Sequence, residues 1–362
     1  MSSAHRFTTS LKPAAIALCI FLALPFVARS AAGPRQSVQT QPLHGAARLS
    51  SIDVILPPKL VAGAPATLAT LGADHRLIGH VQVVLENGTT VETDATGRAN
   101  FTAPSEQVLI AKAGGASAAT LIDARSVAGA NHQLHVSSVA ALHNSLNLCG
   151  GPFNGNAEAD RVEVNDEPAL VIAASPECLV VIPAANASPG VAKISVETGT
   201  HVERATLTLV GLDFEPPDPP LTPGEKGWLT VRASGSNQPL RIVVENESSD
   251  VLQFEKGDVQ ELTTSGGDPN SARIRVQGVR SGDFLLNARI VPPPDTLAAR
   301  RFLDAAEPLA TTELARVVKK MEATLARHPN DAEKIRAELD GMLEATSPGD
   351  FRTLISAARA AL

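Results

Sequence analysis

The sequence has few aromatic residues. Among 362 residues there are ten Phe, a single Trp (Trp228) and no Tyr. Because flat rings form the platforms that stack on sugars and on single-stranded nucleic acid, this composition argues against both kinds of platform. Acidic residues outnumber basic ones, 38 to 31, which argues against a partner with a phosphate backbone.

The sequence also lacks the usual signatures of catalysis. It contains no phosphate-binding glycine loop, no HExxH or CxxC zinc pattern and no G-x-S-x-G elbow. No Ser, Cys or carboxylate pair has a recognisable activating partner in the sequence. We therefore predict a protein without catalytic residues, cofactor or metal.

The first 32 residues have the pattern of a secretory signal peptide. Arg6 and Lys12 precede an apolar run over residues 14–28, and small residues follow at positions 30–32. The run of about fifteen residues is shorter than the ~20 needed to cross a bilayer, and an uncleaved membrane anchor is the alternative. Cys19 follows Leu18 rather than a small residue, which argues against lipidation. We expect an exported protein of the periplasm, cell surface or extracellular space.

Two cysteines, Cys149 and Cys178, remain after such cleavage. An even number of cysteines in an exported chain favours a disulfide, because the compartment is oxidising. Their spacing alone leaves open the alternative of two separately buried thiols.

Residues 33–48 show no hydrophobic period and predict a flexible leader, whereas residues 49–128 show short alternating strands of a first β-sandwich. Within them, Asp94 to Gly97 form a turn, Phe101 points inward and Pro104 ends the strand. This "TDxxGxAxFxAP" stretch resembles the signature of bacterial immunoglobulin-like and related carboxypeptidase-regulatory-like modules. The resemblance implies a fold and no ligand.

Residues 133–212 contain six elements in order: a strand, a glycine-bounded turn ending in Phe, a V-x-V strand, a Ser-Pro turn, a strand closing on Ile-Pro and a Pro-Gly turn. The turn residues are Gly150, Gly151, Phe153, Ser175, Pro176, Pro183, Pro189 and Gly190. This order resembles the IPT/TIG domain, an immunoglobulin-like module of plexins and many bacterial surface proteins. The resemblance implies that Phe153 fills a sandwich core and that Cys149 and Cys178 lie on strands of one sheet, where a cross-strand disulfide fits.

The rest of the chain contains a predicted linker, a third β module and a helical region. Residues 213–223 are rich in Pro and predict a stiff linker, and residues 224–292 predict a third β-sandwich module with Trp228 as a core residue. Residues 295–362 have apolar residues at spacings of three and four, which predicts a small bundle of amphipathic helices. The predicted fold class is mainly β: tandem immunoglobulin-like β-sandwiches followed by a small C-terminal α-helical bundle.

Two groups of side chains are candidate metal ligands. One is a scattered histidine group, His132, His135 and His143, for which ordinary surface histidines are the alternative. The other is an acidic group. It lacks the loop of alternating Asp or Asn and Gly residues that marks a strong calcium site, and solvent-facing residues of a turn and strand are the alternative. Its members are Glu158, Asp160, Glu163, Asp166 and Glu167.

These observations predict a non-enzymatic, exported, multi-module binding, adhesion or scaffold protein. Its partner is expected to be a protein rather than nucleic acid or a small-molecule cofactor. Binding would use the loop ends of residues 51–212 or the apolar helix faces of residues 295–362, which would form a homo-oligomer or dock a partner. The alternative function is a non-catalytic accessory arm of an extracellular polymer-degrading system.

Overall fold

The fold was analysed in a computed structural model that describes residues 52–72, 76–124, 133–142 and 144–362, together with the backbone of a short strand β1 (Val38–Gln39). The predicted signal peptide and nearly all of the predicted leader lie outside the described residues, as do His132 and His143. The described chain consists of three β-sandwich modules and four C-terminal helices.

The first module is a sandwich of a three-stranded and a five-stranded sheet. Its strands are β2 (Asp53–Ile55), β3 (Lys59–Val61), β4 (Pro65–Leu71), β5 (Gln82–Leu85), β6 (Thr90–Glu92), β7 (Arg98–Thr102), β8 (Val108–Ala113) and β9 (Ala116–Asp123). Strands β2, β4 and β7 form one sheet, and the other has the order β3-β9-β8-β5-β6. Alternate residues such as Leu68, Val83 and Leu109 fill the space between the sheets, as the two-residue period of a strand requires.

The second module shares a sheet with the first. Its strands are β10 (His135–Val136), β11 (Val139–Ala141), β12 (Leu146–Cys149), β13 (Asp160–Val164), β14 (Glu167–Ala174), β15 (Cys178–Ile182), β16 (Gly190–Thr198) and β17 (His201–Glu215). Strand β14 pairs with β13 along its first half and with β15 along its second, with a bulge between Val171 and Ala173. Its last residue, Ala174, pairs with Thr67 of β4, so the two modules are joined by backbone pairing.

The third module begins inside strand β17. Its other strands are β18 (Lys226–Ser234), β19 (Arg241–Asn246), β20 (Leu252–Phe254), β21 (Val259–Thr263), β22 (Ser271–Gly278) and β23 (Phe284–Ile290). One sheet has the order β17-β18-β22-β20 and the other β1-β23-β19-β21. Because β17 pairs with β16 at its start and with β18 at its end, one continuous strand joins the second and third modules.

The segment predicted as a stiff linker, residues 213–223, begins as the last part of strand β17. Asp213, Phe214 and Glu215 are the last residues of β17 and pair with β18. Further along the segment, Leu221 is buried in the core of the third module beside Leu229. A proline-rich segment can pack in this way because one apolar side chain anchors it, while its prolines have no backbone N–H that would need a partner.

The C-terminal region forms four helices, α1 (Thr296–Ala306), α2 (Thr312–Arg327), α3 (Ala332–Ala345) and α4 (Asp350–Ala361). Asp295 caps α1 by accepting a hydrogen bond from the Ala298 N–H at 2.9 Å. Among the described residues, no helix is both long enough and apolar enough to cross a membrane. The predicted fold class, mainly β with β-sandwiches followed by a C-terminal helical bundle, is confirmed.

The helical bundle shares its core with the first module. Val108, Ile110 and Leu121 of strands β8 and β9 are buried in the same cluster as Leu303 and Leu354 of α1 and α4. Strand β8 is therefore buried on both faces: Leu109 faces the sandwich, and Ile110 faces the helices. The continuous apolar run of β8 is the pattern of a strand covered on both sides.

Candidate functional site

The two cysteines form the predicted disulfide. Cys149 ends β12 and Cys178 begins β15, and the two residues are direct antiparallel partners with a Cα–Cα distance of 4.1 Å. Cys178 is fully buried. The disulfide is confirmed, and the alternative of two separate thiols is wrong because register places the two side chains on the same side of adjacent strands.

Several turn residues of the second module lie next to the two cysteines in the chain or in hydrogen-bond contact with them. Gly150 has φ +99°, and a Cβ there would lie 2.3 Å from the Gln133 carbonyl oxygen, so the position requires glycine. Phe153 is buried in the module core, and Gly151 packs against its ring. Among the other turn residues, Pro183 is buried, Pro176 and Gly190 are half-buried, and Pro189 is exposed.

Ser175 has a contact that the sequence does not reveal. It is fully buried, and its Oγ donates to the Lys59 carbonyl of the first module at 2.6 Å while accepting from the Cys178 N–H at 3.0 Å. Nearby, the Thr67 hydroxyl lies 2.9 Å from the Gly155 carbonyl of the second module. These buried bonds fix the junction of the two modules, because an unpaired polar group there would be costly.

The predicted turn motif of the first module is a local structural feature. The Asp94 carboxylate accepts hydrogen bonds from the Thr96 hydroxyl and N–H, at 2.6 and 2.7 Å. The hydrogen bond from the Thr96 hydroxyl is the main reason that the pKa of Asp94 lies below its ordinary value. Gly97 has φ +78°, Phe101 is buried in the core and Pro104 follows the end of β7 half-buried.

The acidic group of the second module is split by the fold. Asp160 is 5% exposed and accepts hydrogen bonds from the Thr198 hydroxyl at 2.7 Å and from the Asn154 N–H at 3.1 Å. Burial raises the pKa of Asp160 above its ordinary value. Glu163 pairs with Arg161 at 3.0 Å, while Glu158, Asp166 and Glu167 are exposed.

No three His, Cys, Asp or Glu side chains converge as a metal-binding group within the part of the chain that the structure describes. Of the three candidate histidines only His135 is described, and it is exposed on β10.

Ion pairs join helix α3 to the third module. Arg336 of α3 is 5% exposed, and its Nη1 lies 3.0 Å from Glu261 Oε2 of β21. Arg241 of β19 pairs both with Glu261 and with Glu333 of α3, the latter at 2.6 Å. At the other side of the bundle, Arg301 Nη1 lies 2.6 Å from Asp123 Oδ1 of the first module. The helices therefore contact both terminal modules of the β region.

The prediction that Trp228 is a core residue is wrong. Its side chain lies on the outer face of β18 and is 50% exposed, whereas the following residue, Leu229, is fully buried. The alternation of β18 places Trp228 outward because Leu229 and Val231 occupy the inward positions. Arg275, its direct partner on β22, holds its guanidinium carbon 5.5 Å from the ring centroid.

A shallow depression of about 230 Å³ lies beside this Trp–Arg pair. Its polar rim is formed by side chains of strands β18, β20 and β22 and of Glu255, the residue after β20. The strand residues are Lys226, Gln253, Arg275 and Gln277. Glu255 lies between two cations, 3.7 Å from Lys226 Nζ and 3.8 Å from Arg275 Nε. Among the described residues, this face combines an exposed aromatic ring with a concave polar surface.

No family model matches the chain, and no curated protein matches it in sequence. Among solved structures, it is similar to the plexin A4 extracellular region at 12% identity, covering 64% of this chain and 21% of that one, with a TM-score of 0.23. The four N-terminal Ig domains of Dscam1 isoform 6.9 match at 14% identity, with 65% and 74% covered and a TM-score of 0.21. A third match is SGBP-B of the Bacteroides ovatus mixed-linkage glucan utilization locus, in complex with a mixed-linkage heptasaccharide: 11% identity, 65% and 72% covered, TM-score 0.24.

The chain spans about a fifth of the plexin's length, and at TM-scores this low the likenesses carry no functional argument. The resemblance of residues 133–212 to IPT/TIG domains stays a prediction.

Proposed function

We propose that this chain is a non-enzymatic, exported binding and scaffold protein whose C-terminal helices brace its β-sandwich modules. The observation that carries the proposal is the core that the helices share with the first module, around Ile110 and Leu303. The four helices thereby contact the first module, and the ion pair of Arg336 with Glu261 connects them to the third module.

Three features fix the modules relative to their neighbours. Strand β17 runs from the second module into the third, β4 pairs with β14 between the first and second, and the helices close onto the first. Fixed modules present their loops and outer faces in a constant arrangement, which suits a scaffold that binds a partner protein. The Cys149–Cys178 disulfide supports export to an oxidising compartment.

The packing of the helices on the chain's own modules, called the brace here, also affects the prediction of a homo-oligomer. Val318, Met321, Leu325 and Leu339, the apolar residues that an oligomerising helix would present, are buried within the chain's own bundle. Assembly of copies through these buried residues would require the helices to leave these contacts, so we propose an internal role for them.

The brace can be tested by placing one carboxylate on the shared core of residues 33–362. In Ile110→Asp the charge enters the fully buried contact with the helices, and in the control Val84→Asp it enters the outer face of the same sheet, where Val84 is 44% exposed. We expect Ile110→Asp to speed proteolytic release of residues 295–362 at least about tenfold, with Val84→Asp unchanged.

Arg301→Ala is a milder second variant, because it removes bonds of 2.6 and 2.7 Å to Asp123 and to the Ile122 carbonyl while leaving both cores intact. We expect it to speed the same cleavage to a smaller extent. Equal cleavage rates for the wild type and both variants would refute the brace. Light scattering reports assembly: a wild-type dimer that Ile110→Asp leaves intact would also contradict an internal role.

The accessory-arm alternative has one observation in its favour. Trp228, predicted to be buried, is exposed beside a polar depression on the third module. An exposed aromatic ring beside polar groups is typical of a binding surface.

A further inference from the structure

The outer face of the third module gathers its side chains through strand register. Trp228 and Arg275 are direct partners, as are Lys226 and Gln277, and Gln277 is in turn opposite Gln253 of edge strand β20. Because all these residues occupy the outward positions of adjacent strands, their side chains stand next to one another above the sheet. The arrangement is therefore built by the fold rather than by a mobile loop.

Trp228 is restrained by a neighbour and is still 50% exposed as a residue. The guanidinium of Arg275 restrains it through a cation–π contact at 5.5 Å. A restrained exposed ring loses little conformational entropy when a flat apolar surface stacks on it. The C–H face of a pyranose is such a surface.

The rim retains hydrogen-bonding capacity of both kinds. Lys226 Nζ and Arg275 Nε lie 3.7 and 3.8 Å from the Glu255 carboxylate, beyond hydrogen-bond distance, so these donors and acceptors can still bond to a ligand. The amide nitrogen of Gln277 donates to the Gly224 carbonyl at 3.3 Å, and its amide oxygen is a further acceptor on the rim.

The rim carries charges of both signs, so a charged ligand of either sign meets at least one like charge. An anion in the depression would meet Glu255, and a cation would meet Lys226 and Arg275. A neutral ligand that both donates and accepts hydrogen bonds pairs with all of these groups, and hydroxyl groups do both. The volume of about 230 Å³ is below the ~300–1,000 Å³ of pockets that enclose a drug-sized ligand, so only a small part of a longer chain fits it.

We propose that the face formed by Trp228 and the depression beside it is a binding site for a neutral oligosaccharide chain, with one sugar ring stacked on Trp228. The proposal rests on the accessory-arm form of the proposed function and is independent of the helical brace. The scarcity of aromatic residues argues against a long platform of rings, whereas a single exposed ring provides one stacking position.

The test is affinity electrophoresis of residues 33–362 in native gels cast with a soluble neutral polysaccharide: a β-glucan, a xyloglucan or a galactomannan. Gels with anionic polygalacturonate and gels without polysaccharide are run beside them. We expect at least one neutral polysaccharide to retard the wild type. Trp228→Ala should weaken binding at least about tenfold, and Trp228→Phe, which keeps a flat ring, should weaken it less.

Val202→Ala is the matched control, because Val202 is 49% exposed on the second module, away from the third module's outer face. It should bind as the wild type does. Retardation by no neutral polysaccharide, retardation only by polygalacturonate, or equal retardation of wild type and Trp228→Ala would each overturn the proposal. Because the site lies within the third module, Ile110→Asp should bind normally even while its helices are released, which separates this proposal from the brace.

Discussion

Removing the Cys149–Cys178 disulfide should destabilise the second module by a predictable amount. The bond closes a loop with a sequence separation of 29 residues. The loop-entropy relation, in which stabilisation grows with the logarithm of loop length, gives about 3.6 kcal/mol at 25 °C for such a loop. With a urea m-value of about 1–3 kcal/mol per molar, this corresponds to a midpoint lower by roughly 1–3.5 M.

The assay is urea unfolding of residues 33–362 followed by hydrogen exchange of peptides from residues 133–212, with and without a reductant. The matched control is the double variant Cys149→Ala/Cys178→Ala, whose unfolding should be the same in both conditions. The wild type should lose about 3.6 kcal/mol on reduction and approach the double variant. A reduction effect below about 0.5 kcal/mol would refute the reasoning, because the closed loop would then not restrict the unfolded chain.

Three further predictions concern buried polar groups. Thr67→Val leaves a carbonyl and an N–H of the second module unpaired and should lower the free energy of unfolding by about 1–3 kcal/mol in urea titrations; a loss confined to a few tenths would contradict the role of the junction. Because burial raises the pKa of Asp160 above 3.8, the folded state binds its proton more tightly than the unfolded state, so the wild type should lose unfolding free energy relative to Asp160→Asn as the pH rises from below 3.8 through the raised pKa. A difference between the two proteins that is constant from about pH 3 to about pH 6 would contradict this assignment. Arg336→Met should be neutral or stabilising in thermal unfolding, whereas Glu261→Ala should cost about 3 kcal/mol, because it removes the carboxylate that neutralises the buried Arg336 and also pairs with Arg241; a larger loss for Arg336→Met than for Glu261→Ala would contradict this.

Local patterns in the sequence predict the modules well because strands, turns and helices depend on near neighbours. The alternation around Phe101, the glycine turn at Gly150 and the three- and four-residue spacing of apolar residues in the C-terminal helices all act within a few residues. The sequence favoured a disulfide, because an even number of cysteines remains in a chain predicted to be exported, but it left two separate thiols open. The register of β12 and β15 decided between them.

The arrangement of the modules depends on signals that are weaker in the sequence. Strands β8 and β15 are apolar along almost their whole length, which is the pattern of a strand buried on both faces. That pattern indicates that a further element packs on the second face of each strand, but it does not identify the element. In the structure the partner of Ile110 is the helical bundle, and Val180 packs with Ala69 of the first module.

Trp228 shows where composition misleads. A lone tryptophan is more often a core residue, but its side is decided by register, and Leu229 and Val231 already occupy the inward positions of β18. The alternation of polar and apolar residues over 228–233 indicates which way Trp228 points, whereas the rarity of tryptophan does not.

The sequence by itself determined the β-sandwich modules and the helical tail, because these follow from periodicity, turn chemistry and composition over short distances. Only the tertiary structure decided that the tail packs on the first module, that one strand continues from the second module into the third and that Trp228 faces outward beside Arg275. These features depend on contacts between residues far apart in the chain, where many apolar surfaces are chemically equivalent and shape and register select among them.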